Sequence, residues 1–408
     1  MEQNLANTSI KINNIELPNR VVFQPMEGCD GTPEGGIDNL TERRYMRFAE
    51  SGAAIIWFEA VAVCAEGRAN PRQLFLNETT KQSFKELINN IKKTAIKKFG
   101  CAPLIVMQAT HSGRYSKPNG VPQPLIAYHN ALWETGKEAL PYKIVSDEYC
   151  DSLVKMYAKS AQLASEVGFD AVDVKCCHGY LFDEFLSAYN RVGKYGGDIE
   201  GRSRLYFECI NAVSQNIPSN MFVTTRLNAC DCFDFPYGFG VDKANNIDLT
   251  ETKWIISKLR QKGIALVNLS IGNPYVVPHI NRPCLGAPER GEVGLKRIYD
   301  VTKELQQEFA DITIIASGLS YPQEHCMEYA NKLIAEGVAK MVGFGRMTFA
   351  YPQFFQDYLN SKLDKNKCCL RCSKCTELMR NGSVTGCPIR DKMYLPLYQK
   401  YVLKKENL

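Results

Sequence analysis

Short apolar, β-branched runs alternate along this chain with longer stretches whose apolar positions recur at helical spacing. The runs are NRVVFQP (19–25), AAIIWFEA (53–60), APLIVMQA (102–109), AVDVKC (171–176), NMFVTTRL (220–227), ALVNLSI (265–271), ITIIAS (312–317) and AKMVGFG (339–345). Near-continuous apolar strands of this kind predict a parallel sheet covered on both faces. Between them, NLTERRYMRFAESG and TKQSFKELINNIKKTAIKKFG predict helices closed by Gly52 and Gly100. A helix is predicted from a Ser146 cap to Gly168, with Leu153, Tyr157 and Ala161 on one face. LTETKWIISKLRQKG and the stretch ending in NKLIAEG repeat the pattern with Gly263 and Gly337. Eight strand–helix units predict an α/β chain closed into a (β/α)8 TIM barrel, with an open doubly wound sheet as the alternative.

Ahead of the first unit, TSIKINNIEL predicts a small hairpin that plugs the barrel floor. Two connections are overlong, Thr110 to Val145 and Asn228 to Asp248, and loops of that length are usually lids or binding loops. Their aromatics (Tyr115, Tyr128, Trp133, Tyr142, Phe233, Phe235, Tyr237, Phe239) suggest a roomy apolar pocket, although loop aromatics more often pack than bind. The barrel is expected over residues 1–360 and a cysteine-rich extension over 361–408.

Charge and composition exclude more than they assign. A formal charge of +5 over 408 residues, without a dense Lys/Arg run, does not point to nucleic acid or an anionic membrane. MEQNLANTSI lacks a secretory pattern and no apolar run reaches membrane-spanning length, so a cytoplasmic protein is expected. Most of the sixteen cysteines sit singly in core-like segments, which argues against a secreted disulfide framework.

In a barrel of this kind the chemistry lies where strands give way to loops. Glu27 follows the first run, Glu59 ends the second, Gln108 the third, Lys175 the fourth, and Arg226 sits in the end of the fifth. Burying one such polar group without a partner costs about 1–3 kcal/mol. One alone would be a structural hydrogen bond, whereas five on one rim predict a polar site. ASGLS and GFGRM place Gly318, Gly345 and Arg346 after the last two strands, where backbone N–H groups and a guanidinium suit a phosphate.

The tail KCCLRCSKCTELMRNGSVTGCPIRD is the sharpest shift in composition. Cys369, Cys372, Cys375 and Cys387 form C-x2-C-x2-C-x11-C, with Cys368 as a spare. That density predicts a [4Fe–4S] cluster or a structural zinc, against a reading as unliganded thiols.

Five stretches, NRVVFQPM, MQATHSGR, VDVKCCHGYLFDEFLS, NRVGKYGGDIEGRSRL and VGFGRM, resemble the old yellow enzyme superfamily, in particular the barrel domain of bacterial 2,4-dienoyl-CoA reductase-like enzymes. The resemblance runs from about residue 8 to 390 with its motifs in order. It implies noncovalent FMN and reduction of activated C=C bonds, such as α,β-unsaturated carbonyls, with electrons from NAD(P)H. Pro25, Met26 and Glu27 would flank the flavin, Gln108 and Arg226 would hold its pyrimidine edge, and Gly318, Gly345 and Arg346 its phosphate. His178 would anchor the substrate carbonyl and Tyr180 would protonate the α-carbon. A phenol keeps its proton until an enolate-like carbon demands it.

Three departures stand out. Lys175 lies where many relatives carry histidine, and either assists His178 or pairs with a loop acid. Glu27 lies where relatives carry Thr or Cys. The tail has one residue fewer between its second and third cysteines than the reductases' cluster motif. Larger relatives continue into FAD and NAD(P)H domains, whereas this chain ends at Leu408. Electrons would then come directly from NAD(P)H or from a redox protein partner. Two other functions remain open: an electron-transfer subunit using flavin and an iron–sulfur tail, and a Schiff-base lyase with Lys175 as nucleophile.

Overall fold

A computed structural model describes residues 4–404. An N-terminal hairpin of β1 (Ile10–Ile12) and β2 (Ile15–Leu17) pairs antiparallel. Eight strands then close a parallel barrel: β3 (Val21–Phe23), β4 (Ile55–Ala62), β5 (Leu104–Thr110), β8 (Ala171–Val174), β9 (Phe222–Asn228), β10 (Leu266–Ser270), β11 (Thr313–Ala316) and β12 (Met341–Phe344). β12 returns to β3 through Val342↔Val21 and Phe344↔Phe23, so no strand edge is left open. Each strand overlaps one of the eight apolar runs, with β4, β5 and β9 continuing one or two residues past the end of theirs, and the open-sheet alternative is excluded.

The pleat sorts side chains between two cores. Alternate residues such as Val22, Ile55, Trp57, Val106, Ala171, Leu266, Ile315 and Met341 fill the barrel, and Ile12 and Leu17 of the hairpin close that cluster from below. Their neighbours on the outer face pack against the helices in one continuous core. The expected caps are present. Ser146 Oγ accepts from Tyr149 N–H at the start of helix Asp147–Val167, and Gly168 ends it at φ +97°, which a side chain would strain.

Two features shape the upper end. The connection after β5 folds into a two-stranded pair, β6 (Leu125–Ile126) and β7 (Lys143–Ile144), with a short helix Ala131–Glu134 between. The C-terminal tail folds back onto the barrel mouth through helix Lys374–Arg380. Thr385 N–H donates to Gly28 O (2.6 Å), Arg282 donates to Thr376 (2.7 Å), and Asp391 takes Arg43 and Arg47 (2.7 and 2.6 Å). Leu378, Val384, Tyr394, Tyr398 and Val402 give the tail its own small core against Leu40. Among the described residues no helix is long and apolar enough to cross a membrane.

Candidate active site at the barrel mouth

The upper strand ends enclose a slot whose walls come from across the chain. Pro25, Met26, Glu27, Gln108, Lys175, His178, Tyr180, Arg226, Gly318, Gly345 and Arg346, all singled out from the sequence, line it together. The tail supplies Cys375, Thr376, Met379, Arg380 and Thr385. Beside the slot lies a larger cavity of about 780 Å³, walled in part by Tyr115, Trp133, Tyr142 and Tyr401. Glu27 and Tyr275 line both.

Glu59 departs from expectation. Strand β4 pairs with β5 through Trp57↔Val106 and then Ala60↔Gln108, so two residues of β4 stand opposite one of β5. Such a bulge re-aims side chains. Glu59 is thereby locked in a buried cluster, where it takes Arg44, which also pairs with Asp30, and accepts from Gly28 N–H at 2.7 Å. Burial and Asp30 push its carboxyl up to about 7 against the pull of Arg44. It supports the loop after β3 and does not reach the slot.

Asp173, inside β8, organises the polar edge of the slot and was not flagged by the sequence. Its Oδ2 accepts from Gln108 Nε2 (2.7 Å) and Trp57 Nε1 (2.8 Å), and its Oδ1 accepts from Arg226 N–H (2.7 Å). Burial lifts its pKa to about 6 despite these donors. One carboxylate thus fixes both residues expected at the pyrimidine edge. Gln24 was also missed. It accepts from Asn268 at 2.8 Å and turns its amide into the slot.

The turn after β8 carries two chemical groups. His178 (φ +67°) and Gly179 (φ +69°) are both left-handed, a conformation that costs a non-glycine residue energy and tends to persist at functional sites. Gly179 N–H is held by Asp183 at 2.6 Å. His178 Nε2 meets Ser270 Oγ at 2.9 Å and Asn281 Nδ2 at 3.3 Å. Burial, then Arg226, Lys175 and Arg282, keep its imidazole neutral, far below its ordinary pKa. Tyr180 OH lies 3.4 Å from Glu27 Oε1 and 3.2 Å from Tyr275 OH. Burial, Glu27 and Tyr275 raise its pKa well above 10 and hold its proton. The Lys175 ammonium sits over the Tyr180 ring, 3.6 Å from the centroid, and burial lowers its pKa.

A flavin mononucleotide fits these groups. Gln24 Nε2, Arg226 Nε and Arg346 Nη1 are buried without a hydrogen-bond partner, each on a residue that lines the slot. Leaving them so costs about 1–3 kcal/mol apiece, and a ligand with acceptors along one edge and an anion at the far end relieves all three. Gly343 and Gly345 keep the wall thin. A Cβ on Gly343 would stand 1.9 Å from Gln24 Nε2, and one on Gly345 would stand 3.0 Å from Met26 Sδ.

The tail cysteines do not form a ready-made cage. Among the described residues no group of three or more His, Cys, Asp or Glu side chains is gathered to hold a metal ion. Cys369 is buried, Cys372 is exposed, and Cys375 and Cys387 are half-buried. Arg371 N–H points to Cys369 Sγ (3.5 Å) and Arg390 N–H to Cys387 Sγ (3.4 Å).

The sequence model of the NADH:flavin oxidoreductase / NADH oxidase family matches residues 8–366. The chain belongs to this family. It is a member of the old yellow enzyme superfamily. An NADH oxidase of Thermoanaerobacter brockii is 26% identical over 370 residues, 89% of this chain and 52% of that protein. The chain therefore spans about half that relative's length. An NADPH dehydrogenase of a Geobacillus species is 29% identical over 274 residues, 65% of this chain and 72% of its own. Among solved structures, 2-naphthoyl-CoA reductase in complex with 2-naphthoyl-CoA superposes with TM-score 0.79 at 18% identity, covering 98% of this chain and 58% of that one. An old yellow enzyme from a Pichia species gives 0.69 at 21% identity, covering 88% and 87%. Both share the family's barrel.

Proposed function

We propose that this family member is an FMN-dependent reductase of carbon–carbon double bonds conjugated to a carbonyl, driven by NAD(P)H. The observation that carries this reading is that Tyr180 and a neutral His178 face the same slot as three unpartnered buried donors. Gln24, Gln108 and Arg226 would hold the flavin's pyrimidine edge, Pro25 and Met26 its flank, and Gly318, Gly345 and Arg346 its phosphate. Bound FMN supplies a hydride to the β-carbon of the alkene.

The protein's part is polarisation and protonation. Ser270 and Asn281 orient the His178 ring, so an imidazole N–H can meet the substrate carbonyl oxygen and draw charge toward it. Tyr180 then gives its proton to the α-carbon. Lys175 packs on the phenol ring and steers it, while its positive charge favours the enolate-like state. The larger cavity takes the body of the substrate. We also propose that residues 361–408 extend the 1–360 barrel as the outer wall of the slot.

The test is anaerobic. Photoreduced protein mixed with cyclohexenone should be reoxidised far faster than free reduced FMN. Tyr180→Phe should slow that step by at least about a hundredfold while NAD(P)H still reduces the flavin. A protein that binds no FMN, or reacts no faster than free FMN, sinks the proposal.

A second reading, an electron-transfer subunit with a redox tail, is supported by one feature. Cys375 lines the slot, with Cys369 close enough to act on its charge. Stoichiometric iron and sulfide, with no fast reaction toward alkenes, would favour it; zinc would make the tail structural. A Lys175 lyase would leave a borohydride-trapped adduct with a carbonyl compound, and no mass increase removes it.

A further inference from the structure

The hydroxyl of Tyr180 faces a carboxyl group that the proposed chemistry leaves without a task. Glu27 Oε1 stands 3.4 Å from it, on the loop after β3, at the seam between the two cavities. Tyr180 itself is 3% exposed and lines only the slot. With a flavin and a substrate filling that slot, the groups left touching its oxygen are Glu27 and Tyr275. Both also line the larger cavity, and of the two only Glu27 is a carboxylic acid.

We propose that Glu27 is a proton relay, carrying protons from solvent in the larger cavity to Tyr180 after each turnover. This rests on the reductase reading above and adds a step to it. The Tyr180 O–H bond breaks as a C–H bond forms at the substrate α-carbon, leaving a phenolate. The phenolate takes the proton of the Glu27 carboxyl, and the resulting carboxylate takes one from a hydronium ion in the larger cavity. One solvent proton enters for each proton placed on carbon, and no electrons move in the relay.

The surroundings suit that task. Facing Glu27 are the Lys175 ammonium from the end of β8, Tyr180 and Tyr275, with Cys29 and Glu59 close enough to feel its charge. Burial raises the Glu27 pKa, and Lys175 and Tyr180 work against that rise, so the carboxyl stays exchangeable while far more acidic than the phenol. Tyr115 stacks on Tyr275 with centroids 3.7 Å apart and fixes the second hydroxyl at the seam.

Glu27→Gln keeps the shape and the carbonyl acceptor but cannot pass a proton. Its steady-state turnover should fall at least about tenfold further than its single-turnover rate, because the first proton is already on Tyr180. Formate or acetate, small enough to enter the larger cavity, should restore the turnover, and Glu27→Asp should retain most of it. Independently of activity, the wild type should show an infrared band of a protonated buried carboxyl that is missing in Glu27→Gln. If that variant does not fold, the wild-type proton inventory decides: a bowed dependence on deuterium fraction supports two moving protons, and a straight one overturns the relay. Equal losses in single and multiple turnover without rescue by acids also overturn it. A wild type that gives no fast single turnover with enones defeats the reductase reading instead.

Discussion

Two buried charged clusters at the top of this barrel behave as opposites. In the cluster behind the rim, buried Glu59 and Asp30 both pair with Arg44, and Gly28 N–H donates to the second Glu59 oxygen. In the slot, Lys175, Arg226 and Arg346 are buried cations with no carboxylate in an ion pair with them among the described residues, and two of the three carry an unpartnered nitrogen. The first arrangement stabilises the fold. The second costs stability unless a ligand takes up the unpartnered nitrogens. Paired charge marks support, and unpaired charge marks a candidate site.

Three experiments test that contrast, the largest effect first. Arg44→Leu strands two buried carboxylates and should cost about 3–5 kcal/mol in chemical denaturation. A loss below about 1 kcal/mol would break the comparison. The next concerns His111, a buried group whose two ring nitrogens are both partnered. Its Nδ1 accepts from Gly113 N–H at 3.1 Å, its Nε2 meets Tyr149 OH at 3.0 Å, and burial lowers its pKa to about 4. A folded-state pKa below the unfolded value means stability is present above pH 6.5 and is lost as pH falls toward 4. That acid limb should amount to about 2–3 kcal/mol and should flatten in His111→Gln, as followed by denaturation at several pH values. The smallest effect on stability belongs to the slot. Arg226→Met should change the stability of the flavin-free protein by under about 1 kcal/mol, or raise it, since the charge it removes is uncompensated. The same variant should bind FMN at least about tenfold more weakly in a fluorescence titration, a loss of about 1.4 kcal/mol.

Much of this was legible in the sequence, for a physical reason. Strands buried on both faces must be apolar throughout, so all eight showed as short runs such as AAIIWFEA and ITIIAS, and the helices between them ended at glycines free to turn left-handed. Residues at strand ends were legible because a polar group in an apolar run has few structural excuses. Glu59 misled for the same reason. In IIWFEAVA every residue is buried, so nothing in the pattern marks the bulge that turned it away. Asp173 was hidden in AVDV as a mere interruption. Ser270 was hidden at the end of the run ALVNLSI, while Asn281 and Tyr275 join the site through the connection after β10, which no periodicity records. Of the eight loop aromatics, Tyr115, Trp133 and Tyr142 line the larger cavity, while Phe239 is fully buried in the core.

The tail adds one consequence. Because Cys375, Met379 and Thr385 wall the same slot as Met26 and Gly345, the C-terminal helix and any bound cofactor share an interface. Ordering of the one and retention of the other are then thermodynamically linked, so saturating the slot should protect the last forty or so residues from proteases, and clipping them should release the yellow colour.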